Sequence, residues 1–181
     1  LSGLIGMKKN AALMAMAAGL EDGEAAILEA NEEDLSAYDG DDSRTAMVDR
    51  LRLTPARIAD MAKHIREIAQ LRDPVGESLG FWQRPNGMRV GRVRVPIGVI
   101  GIIYESRPDV TADAAALCLK SGNVCVLRGG SESHHSNTAL AKIRGEAAHK
   151  PGIPDGAITV IEKTDREVVL GRCLDVRADS S

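Results

Sequence analysis

Two clusters of chemically capable residues each stand directly behind an apolar run. The first is Tyr104-Glu105-Ser106-Arg107-Pro108, after the run Val95-Pro96-Ile97-Gly98-Val99-Ile100-Gly101-Ile102-Ile103. The second is Arg128-Gly129-Gly130-Ser131-Glu132, after Val124-Cys125-Val126-Leu127. Arginine offers a planar fork of donors that matches a carboxylate or phosphate, so Arg107, with Glu105 beside it, is a candidate holder of an anionic substrate. The plainer alternative is an internal ion pair between the two that fixes the turn. In the second cluster, paired glycines let a ligand approach the main chain, and the amides that follow can turn toward a phosphate. Arg128 can meet a ribose phosphate there, and Glu132 can accept from hydroxyls; a plain tight turn is the competing reading. The segment is not the GxGxxG fingerprint, and it follows the second apolar run rather than the first.

Other reactive side chains carry weaker signals. His134 and His135 are adjacent, and neighbours in a helix do not face one another; with no third ligand evident, no metal site is expected. Cys118 falls in an alanine-rich helix and Cys125 in an apolar run, where cysteine acts as a small hydrophobe. Cys173 has no evident base beside it. His64 adjoins the apolar stripe of a helix and reads as a packed or solvated side chain.

The two clusters need a frame. Apolar runs of four to eight residues without alternation predict strands buried on both faces, as in a parallel sheet covered by helices. Two such strands joined by a helix form a βαβ unit, whose ligands lie beyond the carboxyl ends of the strands. The joining helix starts at Pro108, is rich in alanine, and has Gly122 as its left-handed stop. A helix over about His135 to Lys150 and a third strand over Ala157 to Ile161 follow. Thr164-Asp165 can cap a last helix that holds Val168, Val169 and Leu170.

Upstream, residues 7 to 38 are expected to be helical, with breaks near Gly19 and Gly23. Asp39 to Ser43 is a polar turn before a short helix carrying Met47, Val48 and Leu51. Thr54-Pro55 opens a helix with Ile58, Met61, Ile65 and Ile68 on one face, ended by Asp73-Pro74. Around Pro85-Asn86-Gly87, residues 78–95 alternate loosely between apolar residues and arginines, which predicts an antiparallel arm with one polar face. The division is therefore a helical segment over 1–77, a β arm over 78–95, and a βαβ segment over 96–181.

Composition narrows the class. With 181 residues, 44% hydrophobic content and a formal charge of −3, neither nucleic acid nor an anionic membrane is expected as a partner. No apolar stretch approaches the ~20 residues of a membrane span. The first nine residues place their positive charges after a short apolar patch, the wrong order for a secretory signal. Three cysteines, an odd number, suit a reducing cytoplasm better than a disulfide scaffold. Aromatic content of 2% argues against base-stacking modules.

Several segments carry a more specific signal. They are Ile27-Leu28-Glu29-Ala30-Asn31 with Asp34-Leu35, Asp49-Arg50-Leu51 with Leu53-Thr54, and Leu71 with Asp73-Pro74-Val75-Gly76. Arg94 through Gly101, Tyr104 through Pro108, Leu117 through Asn123, Leu127 through Gly130, and Ser136-Asn137 continue in the same order. Through them the chain resembles the N-terminal part of the gamma-glutamyl phosphate reductase family, within the aldehyde dehydrogenase superfamily.

The resemblance implies an α/β fold of aldehyde-dehydrogenase type, with N-terminal helices leading into an incomplete Rossmann-type parallel sheet. It implies NADPH-dependent reduction of L-glutamyl 5-phosphate to the semialdehyde in proline synthesis, through a cysteine nucleophile. The family places that cysteine in a later domain, and Cys118, Cys125 and Cys173 do not match its motif. No catalytic residue is therefore assigned in this chain, and turnover by the chain alone is not expected. A homo-oligomer, and contact with the kinase that makes the acyl phosphate, are further implications. Asp109 stands where the resemblance leads one to expect asparagine. The alternative function is a non-catalytic module of the same fold for nucleotide binding or assembly.

Overall fold

The computed structural model describes residues 6–38, 45–105, 107–149 and 151–161. The turn expected at 39–43, Ser106, the helix expected after Thr164 and Cys173 lie outside the described residues.

Four helices come first: α1 (Gly6–Asp22), α2 (Glu24–Ala37), α3 (Thr45–Leu51) and α4 (Pro55–Gln70). The expected breaks near Gly19 and Gly23 reduce to one, because Gly19 stays inside α1 and only Gly23 separates α1 from α2. Both glycines serve packing against α6 (His134–His149). A Cβ at Gly23 would lie 2.5 Å from Ile143 Cδ1, and one at Gly19 would lie 3.2 Å from Ala147 Cβ. Helix α4 begins as its sequence predicts: the Thr54 side chain accepts from the Arg57 amide at 3.2 Å, and Pro55 occupies the first turn. Its buried face, Ile58, Met61, Ala62, Ile65 and Ala69, packs on α1. Each fully buried isoleucine there is worth roughly 1.5–3 kcal/mol.

The arm is an antiparallel pair, β1 (Ser78–Gln83) and β2 (Arg89–Val93), with Trp82 opposite Val90. Gly87 takes the left-handed conformation in the turn, at φ 84°. The arm has no buried residue, and Phe81 and Trp82 are exposed along with the arginines. The expected division into a polar and a packed face is thus absent within the described residues.

After the arm come β3 (Val99–Ile103), α5 (Pro108–Lys120), β4 (Val124–Arg128), a single 3₁₀ turn (Ser131–Ser133), α6 and β5 (Ile158–Val160). The strands form a parallel sheet in the order β3-β4-β5. Gly122 closes α5 at φ 75°, with Pro96 and Val75 packed against it. The apolar run from Val95 yields a shorter strand than its length suggests. Pro96 has no amide to donate, and Gly98 sits at φ 118°, so pairing starts at Val99.

The expectation that these strands are buried on both faces is corrected. Ile100, Ile102, Cys125 and Leu127 share the face turned to the helical core, and Cys125 and Leu127 are fully buried. Val99 and Ile103, on the opposite face of β3, are 44% and 64% exposed. No described helix covers that face. The run is apolar on both sides of the strand, but the described helices bury only one.

Candidate functional site

The two chemical clusters begin at one edge of the sheet. Ile103 and Arg128 are register partners at the carboxyl ends of β3 and β4, and the Tyr104 amide donates to the Arg128 carbonyl at 3.0 Å. Arg128, Gly129, Gly130 and Glu132 are half-buried, and Ser131 is exposed. Gly130 caps the 3₁₀ turn, and its carbonyl accepts from the Ser133 amide and hydroxyl, both at 3.3 Å.

The space beside Gly129 is taken by the protein itself. A Cβ there would fall 2.1 Å from Asn137 Nδ2 and 3.2 Å from Tyr104 Cε2. Asn137 is buried, donates to Ser133 Oγ at 2.8 Å and accepts from Thr111 Oγ1 at 2.8 Å. The Tyr104 hydroxyl meets the same Thr111 hydroxyl. A chain of hydrogen bonds therefore runs from the end of β3 through α5 and α6 to the loop after β4. Inside a core, satisfied polar groups of this kind specify one arrangement and penalise others.

A second buried network holds the start of α6. Asp34, on α2, accepts from the amides of His135 at 2.9 Å and Ser136 at 2.8 Å, and from the Ser136 hydroxyl at 2.6 Å. Asn31, one turn earlier, donates to Ser136 Oγ at 3.0 Å and to the Leu51 carbonyl at 2.9 Å, and accepts from the Leu53 amide at 2.7 Å. A carboxylate at a helix N-terminus satisfies orphan amides and complements the dipole. Here it comes from another helix, so α2 fixes both α6 and the glycine loop before it.

Arg107 lies elsewhere. It lines a cavity of about 290 Å³ between α3, α4 and the first turn of α5, together with Arg52, Arg57, His64, Asp109 and Asp113, among others. Glu105 is exposed and does not line that cavity. The two residues are joined through the main chain, Arg107 N to Glu105 O at 2.7 Å, and no ion pair between their side chains occurs among the described residues. His64 is exposed at the rim of this space, the solvated one of its two expected settings. Arg57 frames the cavity by donating to the Arg52 carbonyl at 2.6 Å and pairing with Asp49 at 3.2 Å.

Cys118 and Cys125 are buried near one another; a hydrogen bond to Cys125 holds the Cys118 thiol below its usual range, against the effect of burial. His134 and His135 approach edge to face, with ring centres 5.4 Å apart, although adjacent helical side chains were expected to diverge. His134 stands at the junction of the 3₁₀ turn and α6, and His135 Nδ1 reaches Glu33 at 3.2 Å. Among the described residues, no three metal-ligating side chains converge.

Sequence reasoning missed the two polar networks. Asn31 with Asp34 and Ser136 with Asn137 stood out only as parts of family motifs. The expected apolar stripe of Ala25, Leu28 and Leu35 is not the buried face of α2; that face is Ile27, Asn31 and Asp34, four and three residues apart, and its helical spacing was the available signal.

Comparison with known proteins adds to this geometry. Residues 18–174 match the aldehyde dehydrogenase family. The gamma-glutamyl phosphate reductase of Moorella thermoacetica is 56% identical over 169 residues, 93% of this chain and 40% of that protein. The gamma-glutamyl phosphate reductase of Caldanaerobacter subterraneus is 55% identical over 89% of this chain and 39% of its own length. The chain thus spans about two fifths of the curated relatives it matches. Among solved structures, the gamma-glutamyl phosphate reductase of Thermotoga maritima superposes with a TM-score of 0.86 at 42% identity, over 94% of this chain and 41% of that one. That of Saccharomyces cerevisiae gives 0.80 at 30% identity, over 91% and 43%.

Proposed function

The chain belongs to the aldehyde dehydrogenase family, and on that premise we propose that it is the N-terminal part of an NADPH-dependent reductase of L-glutamyl 5-phosphate. The product is L-glutamate 5-semialdehyde, and the setting is proline synthesis in the cytoplasm. The observation that carries this reading is the pairing of Ile103 with Arg128. It sets the segments after β3 and β4 at one carboxyl edge of a parallel sheet, where open α/β sheets take their ligands. In this reading, residues 1–77 are a helical segment, 78–95 an arm, and 96–181 the first part of the dinucleotide-binding fold.

NADPH, when bound, would supply a hydride; a thiol would displace the phosphate and the hydride would then release the thiol, so that acyl phosphate, NADPH and a proton give aldehyde, NADP and inorganic phosphate. The residues present fit such a cofactor. Arg128 offers a guanidinium at the strand end to a ribose phosphate, and Glu132 offers an acceptor to ribose hydroxyls. Gly129, Gly130 and Ser131 form the main-chain surface between them. Arg107 holds the anionic substrate from its cavity, and Glu105, exposed and outside that cavity, is given no contact to it. Cys118 is in the α5 core and Cys125 in the sheet, which suits neither to reach a carbonyl. The nucleophilic thiol is assigned outside this chain.

The reverse reaction tests the proposal, with semialdehyde, NADP and phosphate as reactants. The 181-residue chain alone should give no turnover, and a reading frame that continues into a cysteine-bearing domain should give it. Turnover by the chain that survived replacement of each of its three cysteines would contradict the assignment. A second reading, an assembly module, draws on the open arm with Phe81 and Trp82 exposed. Light scattering separates the two, because a stable oligomer without nucleotide affinity would favour assembly alone.

A further inference from the structure

The cavity that contains Arg107 carries both signs of charge. Arg50, Arg52, Arg57 and Arg107 line it with Asp49, Asp60, Asp109 and Asp113. A site for a phosphate or a simple dicarboxylate needs positive charge, and acidic walls would oppose it. A balanced wall instead suits a ligand that is itself balanced. Arg57 and Asp49 are committed to each other and to the main chain between α3 and α4, which leaves them as framework. Arg107 and Asp109 differ: both are exposed, they flank Pro108, and neither side chain has an oppositely charged partner among the described residues. Asp113 lies one turn beyond Asp109 on the same face of α5, as its place in the cavity wall requires. The volume of about 290 Å³ is at the small end for ligand pockets, which run from about 300 to 1,000 Å³. It admits a small metabolite and not a dinucleotide.

We propose that this cavity recognises the zwitterionic amino-acid head of the substrate, with Arg107 on the α-carboxylate and Asp109, backed by Asp113, on the α-ammonium. Arg107 is then a selector of the amino-acid end rather than of the phosphoryl end. Where relatives are expected to carry asparagine, an amide oxygen could accept from the same ammonium, and Asp109 adds a charge to that contact. Charge-assisted hydrogen bonds justify an effect of about tenfold in affinity for each contact. The inference rests on the reading that the site takes a glutamyl substrate, so the cofactor is measured separately in the same samples.

The test titrates the 181-residue chain, followed by amide chemical shifts, with L-glutamate, glutarate (no ammonium) and 4-aminobutyrate (no α-carboxylate). Inorganic phosphate is added as a competitor. Wild type should bind L-glutamate about tenfold more tightly than either analogue, with phosphate displacing it weakly. Arg107→Gln should erase the advantage over 4-aminobutyrate and keep that over glutarate. Asp109→Asn should narrow the advantage over glutarate and keep that over 4-aminobutyrate. Both positions are exposed, and an unchanged amide spectrum of each free variant checks that the fold is kept. Equal affinity for the three ligands, no saturable binding of L-glutamate, or efficient displacement by phosphate would overturn the proposal. NADPH added last reports on the reductase reading independently: selective glutamate binding without cofactor binding would remove the reductase and leave the amino-acid site.

Discussion

Asp34 holds Ser136 twice, at the amide and at the hydroxyl, across 102 residues of sequence. With the His135 amide also bound at 2.9 Å, two of the first amides of α6 are already satisfied by the chain's own carboxylate. A phosphate at this helix N-terminus would have to displace Asp34, so the proposed cofactor contact is confined to the loop and Arg128.

That arrangement predicts a large cost for a small change. Asp34→Ala strands two amides and the Ser136 hydroxyl in a buried setting, and should lower stability by about 2–4 kcal/mol. Asp34→Asn should also destabilise, because one oxygen becomes a donor facing donors. Urea unfolding of both variants checks this. A loss below about 0.5 kcal/mol for Asp34→Ala would show that water replaces the carboxylate without penalty.

Gly129→Ala is predicted to act through Asn137 and not through a ligand. The added methyl would meet the Asn137 amide at 2.1 Å, and that amide is tied to both Thr111 and Ser133. Overpacking of this kind costs about 1–3 kcal/mol. Thermal unfolding in the absence of any ligand should show the loss. An unchanged midpoint would mean that Asn137 moves freely and the glycine is kept for another reason.

The ion pair between Lys9 and Asp73, at 2.7 Å, ties α1 to the end of α4. Burial pushes the Asp73 carboxyl upward, but the Lys9 ammonium and the Val75 amide outweigh it and hold it below its usual value. A carboxyl depressed in the folded state adds stability above its unfolded pKa of about 3.9, and loses it as pH falls through the folded value. Asp73→Asn should therefore destabilise at pH 7 and make little difference near pH 2. An equal effect at both pH values would remove the charge from the explanation.

Much of this fold is legible in the sequence because local signals agree with it. Thr54-Pro55 caps α4, Gly122 ends α5, and the apolar runs of β3 and β4 register in parallel as their composition suggests. What is not legible depends on partners distant in sequence. Nothing near Asn31 or Asp34 reveals that they meet Leu53 and Ser136, and nothing beside Arg107 reveals Arg50, Arg52 and Arg57 across the cavity. The open face of β3 is a further case, since apolar composition records what a strand can bury and not which element covers it. The paired glycines after Arg128 suggest room for a ligand, yet at Gly129 that room belongs to Asn137.

The most direct test of the cofactor assignment compares NADPH and NADH binding to wild type and Arg128→Ala. The two cofactors differ by the 2′-phosphate, and a guanidinium contact to it is worth roughly 1.5–3 kcal/mol, or about ten- to a hundredfold in affinity. Arg128→Ala should weaken NADPH by that factor and change NADH little. Equal losses for the two cofactors would show that Arg128 only braces the turn, and would contradict its place in the cofactor site.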